Sequence, residues 1–308
     1  MNHAFILTAY RDPKSLKVLI RQLLAIGGAR IYCNIDHRSQ SVANTIRDWV
    51  LQEQINNPVF AQVQIFDQWT IRYASTDHLA AQLRLIKLAL TDGADYCHTL
   101  TGQCRLVCKP NQFIDFFNAH VGQSFIEHFS LPASHWSGDG GLDRIQYFQL
   151  YDVMDIKKWR GIFDLSNRFV RACQKLLKVD RRKSYPFEPD QFWGGLGYWS
   201  LYKDALHAIV EHPLISSNVY KHSHCTEEFI PHTLLLNSSY GKANQTKIIS
   251  NHLRYMDWET CHGESPGILD ISHLGNIQAG NNNEYPYLFA RKFDSRFSQE
   301  LEDRLLAP

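Results

Sequence analysis

The chain has 308 residues, 44% of them apolar, 12% aromatic and 20% charged, the proportions of a folded globular protein and not of a disordered one. Thirty-two basic residues against 31 acidic ones leave a formal charge of +1, so no global field favours nucleic acid or an anionic membrane. Seven cysteines, odd in number and scattered through apolar runs, read as free thiols of a reducing compartment.

The apolar run Ala4-Phe5-Ile6-Leu7 starts without a basic segment or cleavage site before it, and no apolar stretch reaches membrane-spanning length. The expectation is a cytoplasmic protein, at most resting on the inner face of the membrane. Glycosylation triplets at Asn237 and Asn244 are common by chance and carry no weight.

In chain order, residues 4–9 predict a strand. Asp12-Pro13 then supplies cap and first-turn chemistry for a helix with Leu16, Leu19, Ile20, Leu23 and Leu24 on one face, ended by Gly27-Gly28. A second strand over 30–35 ends at Asp36, an amphipathic stretch covers roughly 40–54, and residues 59–66 alternate as a third strand. Ser75 caps a helix through Leu90, which Asp92-Gly93 stops before a fourth strand over 96–100. This alternation predicts a mostly parallel sheet flanked by helices, with ligands beyond the carboxyl ends of the strands, where Asp36 and Thr101-Gly102-Gln103 sit.

From 110 to 200 the pattern loosens to a helix near 110–119, a strand-like 145–150 and a helix between 155 and 178 rich in Phe, Leu and basic residues. The basic run 178–183 reads as a solvated helix end. Phe192-Trp193-Gly194-Gly195-Leu196-Gly197-Tyr198-Trp199 is too apolar for a plain loop, and its glycines predict close backbone approach, without the spacing of a phosphate loop.

Two constellations could carry chemistry. In His222-Ser223-His224-Cys225-Thr226-Glu227-Glu228, the histidines could join Cys225 or His232 around zinc, but the spacing matches no zinc finger or His-Glu-x-x-His helix. Alternatively, Thr226 caps a helix and puts Glu227 and Glu228 in its first turn, one facing a cleft and the other solvent, with Pro231 straining that helix mildly. The second is Tyr287-Leu288-Phe289-Ala290-Arg291-Lys292-Phe293-Asp294, where strand alternation turns one of Arg291 and Lys292 inward to meet an anion, either a diphosphate or an acidic neighbour.

Several segments together resemble the core-2/I-branching β-1,6-N-acetylglucosaminyltransferase family, which also contains the protein xylosyltransferases. They are Ile6-Leu7-Thr8-Ala9-Tyr10, Ile35-Asp36-His37-Arg38-Ser39, Ala81 to Lys87 with Leu100-Thr101-Gly102-Gln103, Gly194-Gly195 with Trp199-Ser200-Leu201, Thr226-Glu227-Glu228-Phe229, Leu253-Arg254-Tyr255-Met256-Asp257-Trp258, Ser265-Pro266, and Leu288 to Asp294. They fall in the family's order and leave residues 120–190 unsupported.

The resemblance implies a soluble, bacterial-type member with an α/β fold of the glycosyltransferase-A type. It would be a single catalytic domain over 1–308, with a nucleotide-binding half to about 108 and an acceptor half from 109. It implies transfer with inversion from a uridine-diphospho sugar, by default N-acetylglucosamine, to a hydroxyl of a carbohydrate or lipid-linked oligosaccharide in surface polysaccharide synthesis. No cofactor and no divalent metal is implied. Glu228 would be the base, Lys292 the cation on the leaving diphosphate, Arg291 its neighbour, and Asp36 a uridine contact. Gln103, Trp199 and Glu227 would contact donor or acceptor. Gly267 stands where the family often has Arg or Lys, so Arg254 or Arg291 would compensate, and Cys104-Arg105 replaces Asp-Tyr. Those departures motivate the alternative of an inactive nucleotide- or glycan-binding module of the same fold. A zinc hydrolase built on His222, His224 and Cys225 is the third reading.

Overall fold

The structure, a computed structural model, describes residues 1–261 and 265–306. Strand β1 (His3–Ala9) is buried at every position, which is why Ala4 to Leu7 run apolar instead of alternating. The Asp12 carboxylate caps helix α1 (Pro13–Leu24) by accepting from Ser15 N at 3.0 Å. Gly28, at φ 77°, makes the left-handed turn into β2 (Ala29–Ile35). Helix α2 (Gln40–Asn56), β3 (Val63–Phe66), α3 (Asp77–Thr91) and β4 (Tyr96–Thr101) follow.

Two boundaries differ from the sequence expectation. Residues Pro58–Gln62 form a 3-10 turn, since Pro58 has no N–H for a ladder, and the third strand is correspondingly shorter. Helix α3 starts after Thr76, while the Ser75 hydroxyl accepts from Asp77 N at 3.1 Å.

The later chain adds β5 (Cys104–Leu106), α4 (Pro110–Ala119), β6 (Ser124–Ile126), α5 (Ile156–Leu176), β7 (Trp199–Tyr202), α6 (Lys203–Val210), α7 (Ile230–Asn237), β8 (Ile248–Ile249), β9 (Arg254–Met256), β10 (Phe289–Arg291) and α8 (Gln299–Leu306). The central sheet has seven strands in the order β8-β6-β7-β4-β1-β2-β3. All pairs are parallel except those of β7, which runs antiparallel to β4 and β6. The chain is therefore mixed α/β with a mostly parallel sheet and flanking helices, as expected. Residues Phe5 and Leu7 of β1 pack with α1, α2 and α4, and Ala4 and Ile6 pack on the opposite face with α3, α6 and α7. A second sheet, β9-β10-β5, lies beside the first.

The segment 145–150 is not a strand. Asp143–Gln146 makes a helical turn and Leu150–Asp152 a 3-10 turn, because the backbone between them bonds to single groups instead of a ladder. Gln149 N donates to His222 O at 2.7 Å and Leu150 N to Asn167 Oδ1 at 3.1 Å. Nor does Thr226 cap an α-helix. Thr226–Glu228 forms a 3-10 turn after Cys225 at φ 50°, and α7 begins at Ile230 with Pro231 in its first turn, where a missing N–H costs nothing. The strain expected from Pro231 is absent.

Candidate active site

The strand order reverses direction between β4 and β1, so their carboxyl ends open a crevice at the switch point of the sheet. Cations converge there. Arg11, just past β1, donates to Gln103 Oε1 at 3.3 Å, and Gln103 in turn donates from Nε2 to Phe293 O at 3.2 Å and accepts at its own carbonyl from Phe293 N at 2.9 Å. Gln103 thus clamps the end of β10 to the end of β4. Arg291 donates to the Thr101 hydroxyl and lies over the Tyr198 ring at 5.2 Å.

Lys292 reaches Ser265 Oγ at 3.4 Å. Burial, and then the fields of Arg291, Arg11 and Lys157, push its ammonium below the usual lysine value, with Asp294 pulling the other way. Because β10 ends at Arg291, strand alternation does not separate the two side chains, and both remain half-buried at the crevice. Lys157, in the first turn of α5, lies over the rings of Tyr10 at 4.6 Å and Tyr73 at 5.3 Å. Asp155 caps that helix at Lys157 N (3.0 Å) and pairs with Arg38, which ties α5 to the end of β2.

The acids share the surroundings of Tyr198. The Tyr198 phenol, pushed up to about 12 by burial, lies within the fields of Arg291, Glu228 and Glu227. Glu227 Oε1 faces His78 Nδ1 at 3.0 Å, and His78 Nε2 faces the Thr8 hydroxyl at 3.1 Å. With Nδ1 protonated toward the carboxylate, Nε2 accepts from Thr8. Burial pushes the Glu227 carboxyl up, and His78, a backbone hydrogen bond and His224 together more than offset it, so Glu227 stays below the ordinary glutamate value.

Glu228 is the more open acid, its side chain 27% exposed against 11% for Glu227. It pairs with Arg144, whose guanidinium lies over the Trp136 ring at 4.1 Å. The glycines of the aromatic stretch permit this packing: a Cβ on Gly197 would meet Glu227 Cγ at 2.9 Å, and one on Gly195 would meet Glu127 O at 2.0 Å. Beyond Arg144 lies a cavity of about 270 Å³ whose walls include Asp143, Gln149, Tyr151, Asn167 and Arg171.

The remaining candidates lie elsewhere. Asp36 sits at the end of β2, where its Oδ1 accepts from Arg38 N and Nε, both at 2.9 Å, and its Oδ2 from Arg38 Nη2 at 2.8 Å and Ile71 N at 3.0 Å. Burial opposes its charge, but those bonds hold its carboxyl below the usual value. Trp199, expected at the donor or acceptor, is instead 1% exposed, in the apolar cluster that also holds Ile126 and Leu201, and Tyr198, just before β7, takes the place at the crevice. Arg254 is likewise interior, 1% exposed, donating to the carbonyls of Thr99 (3.0 Å), Trp199 (3.1 Å) and His252.

A side chain at Gly267 would have to displace those of Thr260 and Asp257. A Cβ there would meet Thr260 Oγ1 at 2.3 Å and Asp257 Oδ2 at 2.6 Å. Arg105 is structural, buried against Glu302 at 2.7 Å and Ser15 Oγ at 2.8 Å, and it fastens α8 to the sheet. His222, His224, Cys225 and His232 do not assemble a zinc site: among the described residues, no three His, Cys, Asp or Glu side chains come together as metal ligands would. His224 stacks on Tyr151 at 4.5 Å instead.

Arg11, Lys157, Tyr198, His78 and Arg144 were missed from the sequence. Only Tyr198 carried a local signal, the glycine-rich aromatic stretch around it.

No family model matches the sequence, and neither does any curated protein. Among solved structures, similarity is found to Staphylococcus aureus TarS 1–349 in complex with UDP-GlcNAc, at TM-score 0.29 and 12% identity over 41% of this chain and 34% of that one. Mouse xyloside xylosyltransferase 1, apo form, is similar at TM-score 0.37 and 11% identity over 94% of this chain and 96% of that one. The chain spans about a third of the TarS length that it matches.

Proposed function

We propose that this protein is a glycosyltransferase that moves a sugar, by default N-acetylglucosamine, from a uridine-diphospho donor to a carbohydrate hydroxyl with inversion. The carrying observation is the convergence of Arg11, Lys157 and Arg291 on Lys292, with Tyr198 in the fields of both Arg291 and the acids Glu227 and Glu228. Cations held this close repel one another, and a diphosphate relieves that repulsion.

In this reading Glu228 takes the proton of the acceptor hydroxyl as its oxygen attacks the anomeric carbon. The new C–O bond forms on the face opposite the diphosphate, and the bond to the departing phosphate oxygen breaks with its electron pair staying on the diphosphate. Lys292, Arg291 and Arg11 stabilise that developing charge as fixed donors, which removes the need for a divalent metal. Glu227, His78 and Thr8 position the Glu228 turn from beneath. The motifs that resemble the core-2/I-branching family fall on the same residues, Glu228 and Lys292, and support the same assignment.

The Arg144–Glu228 ion pair favours a second reading, a module of this fold that binds nucleotide or glycan without turnover. Calorimetry with uridine diphosphate and a panel of uridine-diphospho sugars, with metal and with chelator, followed by a donor-hydrolysis assay, tests both. Metal-independent binding with release of free sugar is expected. Binding without any hydrolysis or transfer selects the second reading, and absence of uridine nucleotide binding overturns the transferase reading and the nucleotide-binding form of the second.

A further inference from the structure

Helix α5 is built inside out. Its buried side carries Phe163, Asn167 and Gln174. The two amides are satisfied there: Asn167 bonds to Leu150 N at 3.1 Å and Gln149 at 2.9 Å, and Gln174 bonds to Phe148 N at 2.7 Å and Phe148 O at 2.9 Å. Its outer side carries Ile162, Leu165, Phe169 and Leu176, which are 57%, 73%, 69% and 84% exposed. At 100° per residue these four fall within an arc of about 60°, roughly opposite the buried amides. A surface helix ordinarily turns its apolar stripe toward the core. A contiguous exposed stripe marks a partner or a membrane.

Charge selects between them. Residues 157–183 hold ten Lys or Arg and two Asp, a formal +8 in a chain whose total is +1. Lys158, Arg160, Arg168, Lys175 and Lys178 are exposed in that segment, Arg168 and Lys175 within about 80° of the stripe's edge by the same count, and Asp164 is the one exposed acid there. Cations rimming an apolar stripe match an anionic bilayer, where the apolar side chains enter the acyl boundary and the cations meet the headgroups. The near-neutral total charge hid this local field, and the run 178–183 is its continuation.

We propose that α5 is an interfacial anchor that seats the protein flat on an anionic lipid bilayer. Among the described residues no helix is long and apolar enough to cross a membrane, so the contact is peripheral. Asn167, on the buried side of α5, and Arg171 wall the cavity that Arg144 also lines, so seating α5 holds that cavity one helix diameter, about 10 Å, above the headgroups. The inference stands independently of glycosyl transfer.

The test is flotation of the full chain with vesicles of phosphatidylcholine alone and of phosphatidylcholine mixed with phosphatidylglycerol. Expected are flotation with the anionic vesicles, weaker flotation with the neutral ones, and loss at high salt. The double variant Leu165→Glu/Phe169→Glu, folded by circular dichroism because both side chains are exposed, loses at least about tenfold in partitioning, since each charge must leave the headgroup zone uncompensated. Lys175→Gln and Lys178→Gln each lose about fivefold. No flotation, or flotation unaffected by the double variant, overturns the proposal. A dimer by light scattering that the double variant dissolves, without flotation, assigns the stripe to a second copy of the chain and overturns it as well.

Discussion

Replacing Glu228 by Gln separates its chemical role from its structural one. The side chain is 27% exposed and pairs with an Arg144 side chain that is 13% exposed. In Glu228→Gln the amide oxygen still accepts from Arg144, whose guanidinium also keeps its contact with Trp136. What is lost is the charge on one hydrogen bond, about 1 kcal/mol of stability, or a few degrees in melting temperature at most. As a general base the carboxylate contributes about 10²–10⁴ in rate, or about 3 to 5 kcal/mol of barrier, and the amide supplies none of it. Product formation from a uridine-diphospho sugar, measured alongside donor affinity by calorimetry and melting by circular dichroism, should show a hundredfold or greater loss of turnover with donor affinity and stability nearly intact. Transfer within tenfold of the parent, in a variant that folds and binds donor normally, refutes the assignment of Glu228 as base.

Lys292→Gln removes one cation from the crevice. Uridine diphosphate should then bind about ten- to a hundredfold more weakly, as expected for one charge-assisted hydrogen bond, and the salt dependence of binding should flatten; an unchanged dissociation constant by calorimetry places the phosphates elsewhere. Glu302→Gln leaves the Arg105 guanidinium, 1% exposed, without its carboxylate. The expected cost is about 3 kcal/mol or more in urea unfolding, with release of α8 seen as faster amide exchange over Gln299–Leu306. Acid should destabilise the protein before its carboxylates titrate. Burial holds His3 at about 4 and His232 at about 3, and His98, hydrogen-bonded to His3 at 3.1 Å, well below its usual value. Each is depressed in the folded state, so its contribution is complete above the unfolded value near 6.5 and is lost as pH falls toward the folded value. Each ring costs about 1.4 kcal/mol per pH unit in that window, so three rings remove about 4 kcal/mol between pH 7 and pH 5.5. Urea midpoints that do not move over that range contradict the buried neutral rings.

The first half of the fold was legible because its signals are local. The Asp12-Pro13 cap, the leucine spacing of α1, the Gly27-Gly28 stop and the apolar β1 each depend on residues within one or two turns, and each stands where the sequence places it. Between 120 and 190 such signals fade. The segment 145–150 has strand-like composition, yet its backbone groups are satisfied by Asn167 and His222 from other parts of the chain, which no local pattern records. The end of β10 was misread for a similar reason: alternation applies only while a strand lasts, and the ladder stops at Arg291.

The site divides the same way. Sequence determined the residue types and their order: two adjacent acids at a helix start, two adjacent cations in a strand-like run, glycines in the aromatic stretch, and a helix between 155 and 178 rich in Phe, Leu and basic residues. Only the tertiary structure decided that Arg11, Lys157, Arg291 and Lys292 share one crevice, that Tyr198 and not Trp199 lies beside them, that Arg254 is interior, and that the apolar stripe of α5 points outward. Periodicity fixes which side chains share a face, a matter of bond geometry over a few residues. Which way that face turns depends on burial and charge summed over segments 100 or more residues apart, and that sum exists only once the chain has folded.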